Sequence, residues 1–388
     1  METDKKPAIL LLGSQMARAG AQEVLLTQAR WFQQQGYPVT AAFFYDRDGL
    51  AATWQAREPF PVINLNAWGY RIPLRRKLPR LGPGLLRLWR ILRIEKIQII
   101  ETFTPDSNLM GLPLAWLAGV RARVATHHGY IEGTGKLERW LHGRLVNSGI
   151  ARRLVAVSAQ VAEQAVNEEG VRKARVRVIE NGIQPLPPST PAARAELRQE
   201  LGIAEKELLV LTVARFKIQK GYTYLMDAIP QAMTACPQAV FAFAGDGPLR
   251  AEMQVKAKTL GIEQNVRFLG VREDVPALLG AADVYVMPSL WEGLPIALLE
   301  AMSLGLPCVV TAVEGVRDIL RDGENGRLVA PEDAAGLAKA MVETLNDPTG
   351  RARMGAAAQA LFAQKYTVAR MCGEYEAVFD ELLDGKRQ

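Results

Sequence analysis

Two glutamates, Glu292 and Glu300, stand eight positions apart in the run 288–311, PSLWEGLPIALLEAMSLGLPCVVT. The Gly-Leu-Pro between them reads as a loop ending at Gly293 and Leu294, with Pro295 opening a helix. Free amides at such a helix start attract phosphate. Glu300, between one and two turns in, comes within reach of ribose hydroxyls, and Glu292 stays on the loop where a sugar ring would extend. A glutamate pair alone is weak evidence, since most glutamates are solvated surface residues. Arg215 and Lys220 bracket a turn in VARFKIQKGYTYL, residues 213–225. Two cations at the carboxyl end of a strand can neutralise a diphosphate as it leaves. In GSQMARAGAQEVLLTQA, residues 13–29, Gly20 and Ala21 are small enough for backbone to approach a phosphate closely. The segment is neither a G-x-G-x-x-G fingerprint nor a P-loop. In VATHHGY, residues 124–130, His127 and His128 end a strand together, and they are two of only three histidines. Such a pair favours a functional role over the common structural one.

Two motifs are read as turns. Asp46-Arg47-Asp48 has a spacing that can bind a divalent metal, but it precedes Gly49 after a strand. Gly245-Asp246-Gly247 is a tight turn after another strand, with Gly245 facing the same cleft as Arg215. No metal centre is expected.

These residues need a scaffold that gathers strand ends. Short β-branched runs at 8–12, 39–44, 97–102, 123–126, 154–158 and 176–179 alternate with helical patterns such as 22–35 and 159–168. The run QPLPPSTP, residues 184–191, holds four prolines and is the natural linker. Alternation then restarts with strands at 208–213, 240–244, 266–269, 284–287 and 308–311 and helices near 221–233, 249–260 and 295–303, and the last 55 residues read as helical. The pattern predicts an α/β protein of two doubly wound, Rossmann-like domains facing each other across a cleft, with ligands beyond the carboxyl ends of the strands. The expected division is 1–186 and 187–366, with a terminal helix at 367–384 returning to the first domain.

Composition agrees with this class. The chain has 388 residues, 49% apolar and 23% charged, which excludes disordered and low-complexity classes. Cys236, Cys308 and Cys372 are too few and scattered for a disulfide framework and favour a reducing compartment. The longest apolar stretch, 109–120, is too short to cross a bilayer and contains Pro113. Residues 1–188 carry 26 basic and 15 acidic side chains, while the remainder carries 21 and 26. A basic first half implies an anionic partner. The stretch 71–96 has nine basic residues and one acidic, with Leu85, Leu88, Trp89, Leu92 and Ile94 on an approximate apolar face. It fits either an anionic membrane surface or a helix lying on its own sheet beneath snorkelling arginines. No basic-aromatic nucleic-acid motif is present, so nucleic acid is not an expected partner.

Taken in order, the Gly20–Ala21 loop, HHG, ENGI (residues 180–183), Arg215 with Lys220-Gly221, AGDGP and the two spaced glutamates resemble the retaining glycosyltransferases of family 4, with the GT-B fold. The resemblance covers nearly the whole chain. It implies that Glu300 holds the ribose of a UDP- or GDP-sugar and Glu292 approaches the donor sugar. It also implies that Arg215 and Lys220 bind the diphosphate, that the amides of Gly20 and Ala21 face the same phosphates, and that His128 contacts the transferred sugar. Ser158 would begin a helix after its strand. Asp318 stands where the family often has Glu, one methylene longer, and Ala21 where a second glycine is common.

The implied reaction is metal-independent transfer, with retention, to a hydroxyl of a lipid-linked, lipopolysaccharide or exopolysaccharide acceptor. No cofactor beyond the donor substrate is required. The expected location is cytoplasmic, peripheral to the membrane if 71–96 binds it. Two flanking carboxylates also suit a glycosidase, but Glu300 is taken by the nucleotide. A nucleotide-sugar epimerase on the same fold and a non-catalytic nucleotide-sugar-binding or membrane-scaffold protein are the alternatives.

Overall fold

A computed structural model of the chain describes residues 6–17, 20–67, 74–129 and 135–385, with side chains from residue 80 in the helix that starts at 74. Residues 71–73, Arg18, Ala19 and Tyr130, which belong to motifs singled out above, lie outside the described residues. The chain divides into two compact units, Met1–Gly182 with Val368–Gln388, and Ile183–Thr367.

The first unit is a parallel sheet of β1 (Ile9–Met16), β2 (Val39–Asp46), β3 (Val62–Asn64), β4 (Ile99–Thr102), β5 (Ala122–His127), β6 (Arg153–Ala156) and β7 (Val176–Val178), ordered β3-β2-β1-β4-β5-β6-β7. The second holds β8 (Leu208–Val213), β9 (Ala239–Ala244), β10 (Val266–Gly270), β11 (Val284–Met287), β12 (Cys308–Thr311) and β13 (Arg327–Val329), ordered β10-β9-β8-β11-β12-β13. Both are the doubly wound order, which reverses between β1 and β4 and between β8 and β11. Loops diverge at such a reversal and leave a crevice at the strands' carboxyl ends. Central strands are apolar on both faces because helices cover both: β9 is buried at every position.

Two sequence features resolve in the first unit. The helix Leu74–Ile94 lays Leu88 and Leu92 into the sheet's core, while Leu86 and Ile94 stay exposed. Arg80, Arg87, Arg90 and Arg93 are exposed, and Arg87 Nη1 reaches back to the Asn64 and Leu65 carbonyls at 3.2 and 3.3 Å. Most of the apolar face thus packs on the helix's own sheet, and the face left outside is cationic. Asp46 accepts from the Leu50 and Ala51 amides at 2.9 and 2.8 Å. Its carboxylate therefore closes the turn into the helix Ala51–Arg57.

The final helix, Val368–Leu383, packs on the helix Gly20–Gln34 through Phe379 and Phe32, whose rings are 5.5 Å apart. Beneath it, Glu101 of β4 is fully buried. Burial pushes its carboxyl up from about 4.5 to about 8, although the Thr126 hydroxyl donates to it at 3.0 Å. Between those values the folded chain holds a proton that the unfolded chain has released. This group's contribution therefore falls as pH rises through the window, by at most about 1.4 kcal/mol per pH unit. Glu101→Gln should flatten the loss of stability between about pH 5 and pH 8 in urea titrations. An unchanged slope would acquit this carboxyl.

Candidate active site

In the second unit the site grows from the β8 and β11 ends. After β8 the chain must turn sharply while carrying two cations. Phe216, fully buried, stacks on Tyr222 with ring centres 4.0 Å apart, and Tyr222 Oη donates to the Ala214 carbonyl at 2.9 Å. This clamp fixes the turn at both sides, so Arg215 emerges exposed at the strand end and Lys220 closes the short 3-10 turn Ile218–Lys220. Gly245 follows β9 at φ +146°, and a Cβ there would stand 2.0 Å from the Ala214 oxygen. Glycine lets the Gly245-Asp246-Gly247 turn lie flat against the arginine loop.

The loop after β11 docks on the same turn. The Leu290 amide donates to the Gln219 carbonyl at 2.7 Å, and Gln219 Nε2 to the Trp291 carbonyl at 2.9 Å. These bonds bring Lys220 Nζ to 2.5 Å from Glu292 Oε1, which also accepts from Ser289 Oγ at 2.6 Å. Gly293 and Leu294 lead to Pro295, the cap of the helix Ile296–Ser303, with Glu300 on its second turn and half-buried. The structure places Pro295 just before the first turn, one position earlier than the sequence reading. Gly315, in the segment that ends at Asp318, supports this loop: a Cβ there would collide with the Gly293 carbonyl at 1.6 Å.

The first unit places its candidates at the carboxyl edge of its own sheet. Gly20 and Ala21 begin the helix Gly20–Gln34, which follows β1. His127 is the last residue of β5, and its ring is buried, with Nε2 3.1 Å from Glu169 Oε1. His128 stacks on Phe103 at 5.8 Å, and its Nε2 meets no hydrogen-bond partner among the described residues. Burial, with His127 beside it, pushes the His128 imidazole down to about 3. It is therefore neutral at physiological pH and can offer a hydroxyl either a proton or a lone pair. The two adjacent histidines are thus different in kind: one is tied inward, and the other keeps a ring nitrogen unused.

Sequence reasoning gave no role to Phe216, Tyr222, Gln219 and Ser289, which hold the turn and its neighbouring loop, because an aromatic stack and single polar contacts between loops leave no spacing signal. It also missed Glu169 and His142, which carry His127.

A family model described as Glycosyl transferases group 1 matches residues 193–361, and one described as Glycosyltransferase Family 4 matches residues 18–185. An Escherichia coli UDP-Gal:alpha-D-GlcNAc-diphosphoundecaprenol alpha-1,3-galactosyltransferase is 31% identical over 275 residues, 68% of this chain and 70% of that enzyme. The chain belongs to glycosyltransferase family 4. A putative glycosyltransferase of Bacillus subtilis, EpsD, is 26% identical over 90% of this chain and 92% of its own length. The crystal structure of Anabaena HepE in complex with UDP and glucose superposes with a TM-score of 0.83, at 24% identity, covering 96% of this chain and 99% of that one. The family 4 enzyme therefore has the GT-B fold, built from the two Rossmann-like units described above, and it is a transferase of sugars.

Proposed function

We propose that this glycosyltransferase moves a sugar, with retention and without a metal, from a UDP- or GDP-sugar to a hydroxyl of a lipid-linked or polysaccharide acceptor. The observation that carries the reading is the pairing of Lys220 with Glu292 at the β8–β11 reversal, one loop away from Glu300. Breaking the bond from the anomeric carbon to diphosphate builds negative charge on the phosphate. Lys220, Arg215 and the amides opening the helix at Ile296 offset that charge, and each such donor is worth a few kcal/mol in a dry site. Glu300 holds the ribose. Glu292, with its oxygen already oriented by Ser289, faces the donor sugar and its developing positive charge. His128 contributes a neutral contact to the transferred sugar, and Gly20 and Ala21 contribute amides to phosphate oxygens. The names of the Escherichia coli relative and the HepE complex, with UDP-Gal and UDP, favour uridine as the base.

A thermal-shift panel of UDP-, GDP- and ADP-sugars checks the donor, because a ligand of the native state raises Tm by mass action. UDP-sugars should shift it most, and no response to any of the three would remove the reading. NMR of the product should show the anomeric configuration of the donor, whereas inversion would refute retention. Activity should survive EDTA.

Where the acceptor is lipid-linked, the cationic outer face of the helix Leu74–Ile94 supplies an attraction to anionic headgroups. Among the described residues, no helix is long and apolar enough to cross a membrane. Sedimentation with anionic vesicles should be strong at low salt and lost at high salt. Indifference to vesicles would discard membrane attachment.

A further inference from the structure

Two of the chain's three histidines, His127 and His142, lie against Glu169, and the third, His128, follows His127 directly. Glu169 is buried, with Oε1 3.1 Å from His127 Nε2 and Oε2 2.6 Å from His142 Nδ1. Burial would raise its carboxyl, but the bonds from the two rings outweigh that cost and hold it down to about 2. The carboxylate is thus an acceptor only, and both facing ring nitrogens donate to it.

The far side of each ring fixes the rest. His127 Nδ1 accepts the Gly129 N–H at 3.0 Å. A nitrogen that accepts carries no proton, so His127 is the neutral tautomer with its proton on Nε2. His142 Nε2 lies 2.8 Å from the Asn108 amide. Turned to satisfy its neighbours, that amide donates its nitrogen to the Thr102 and Thr104 carbonyls at 3.2 and 3.1 Å and accepts from His142 through its oxygen. His142 therefore donates through both nitrogens, and its positive charge balances Glu169. Gly129, held by His127, adopts φ +95°, a left-handed turn immediately after His128.

We propose that Glu169, His142 and His127 are positioning residues for His128: the carboxylate selects the His127 tautomer whose Nδ1 pins Gly129, and the pinned turn aims the His128 ring at the transferred sugar. This role rests on the sugar contact of His128 given under Proposed function. A purely structural cluster would fill the same space, but it would not need one particular tautomer.

Two measurements test it on the full chain. In 15N spectra of the histidine side chains, one ring should show Nε2 protonated and Nδ1 bare, and a second should show both nitrogens protonated. Glu169→Gln, which offers one acceptor where two are needed, should abolish the doubly protonated signature. A wild-type His127 carrying its proton on Nδ1 would overturn the network. For activity, His127→Asn places Oδ1 where Nδ1 accepts from Gly129, and His127→Phe does not. His127→Asn should keep kcat within several-fold of wild type, whereas His127→Phe should lose on the order of tenfold to a hundredfold with donor KM little changed. Equal losses in the two variants, or losses that follow their melting temperatures, would overturn the positioning role. His128→Ala with unchanged kcat would instead overturn the sugar contact beneath it, leaving the spectra as they are.

Discussion

Lys220→Ala should lower kcat by about two to three orders of magnitude, the range seen when one preorganised donor to a developing anion is removed. In the proposed reaction Lys220 is already in place for this task. Its backbone ends a turn clamped by Phe216 and Tyr222, and its ammonium is already placed at 2.5 Å by Glu292. A side chain so placed needs little reorganisation when a leaving diphosphate competes for it. Donor KM should change less than kcat, because the charge it meets is larger in the transition state than in the ground state. Lys220→Arg is not a conservative rescue, since a planar fork cannot replace a point charge seated on one carboxylate oxygen. Steady-state kinetics against the donor read both numbers. Full activity in Lys220→Ala would remove this lysine from the chemistry.

Gly221→Ala is expected to damage both stability and activity. The residue has φ +61°, and an added Cβ would stand 1.9 Å from the Pro288 carbonyl oxygen. The left-handed backbone alone costs an alanine about 1 kcal/mol. The collision adds a shift of the β11 loop, so we expect a total of roughly 2–4 kcal/mol. That loop carries Glu292, and the residue before Gly221 is Lys220. Activity should therefore fall even at temperatures where the variant remains folded. Thermal melting together with single-temperature kinetics separates the two effects. A variant with wild-type Tm would show that the two loops are not docked as described.

Much of the fold is legible in the sequence because its central strands are buried on both faces and read as continuous apolar runs. Residues 208–213 and 284–287, read in advance, coincide with β8 and β11. One edge of each sheet was legible, at 176–179 and 266–269, and the other was not. β3 and β13 are three residues long, and β13 includes Arg327, which forms ion pairs with Asp322 and Glu343. The helix Pro105–Leu117 contains Pro113 and lacks a polar face, so it offered no helical period. In the site, the glutamate pair and the Arg215–Lys220 turn could be found because their partners lie within one loop or helix turn. The His127–Glu169–His142 cluster could not, since it joins the end of β5 to residues 15 and 42 positions later. Its one sequence signal was the scarcity of histidine. Glu101 had a clearer signal, a lone carboxylate inside the apolar run of β4, and the structure gives it a buried, protonated role at physiological pH below about 8.

A crystal structure with bound UDP bears most directly on the central claim. It should show the pyrophosphate oxygens on Arg215 and Lys220 and the ribose hydroxyls on Glu300. Uridine diphosphate bound at any other place, with those three side chains making no contact to it, would contradict the account.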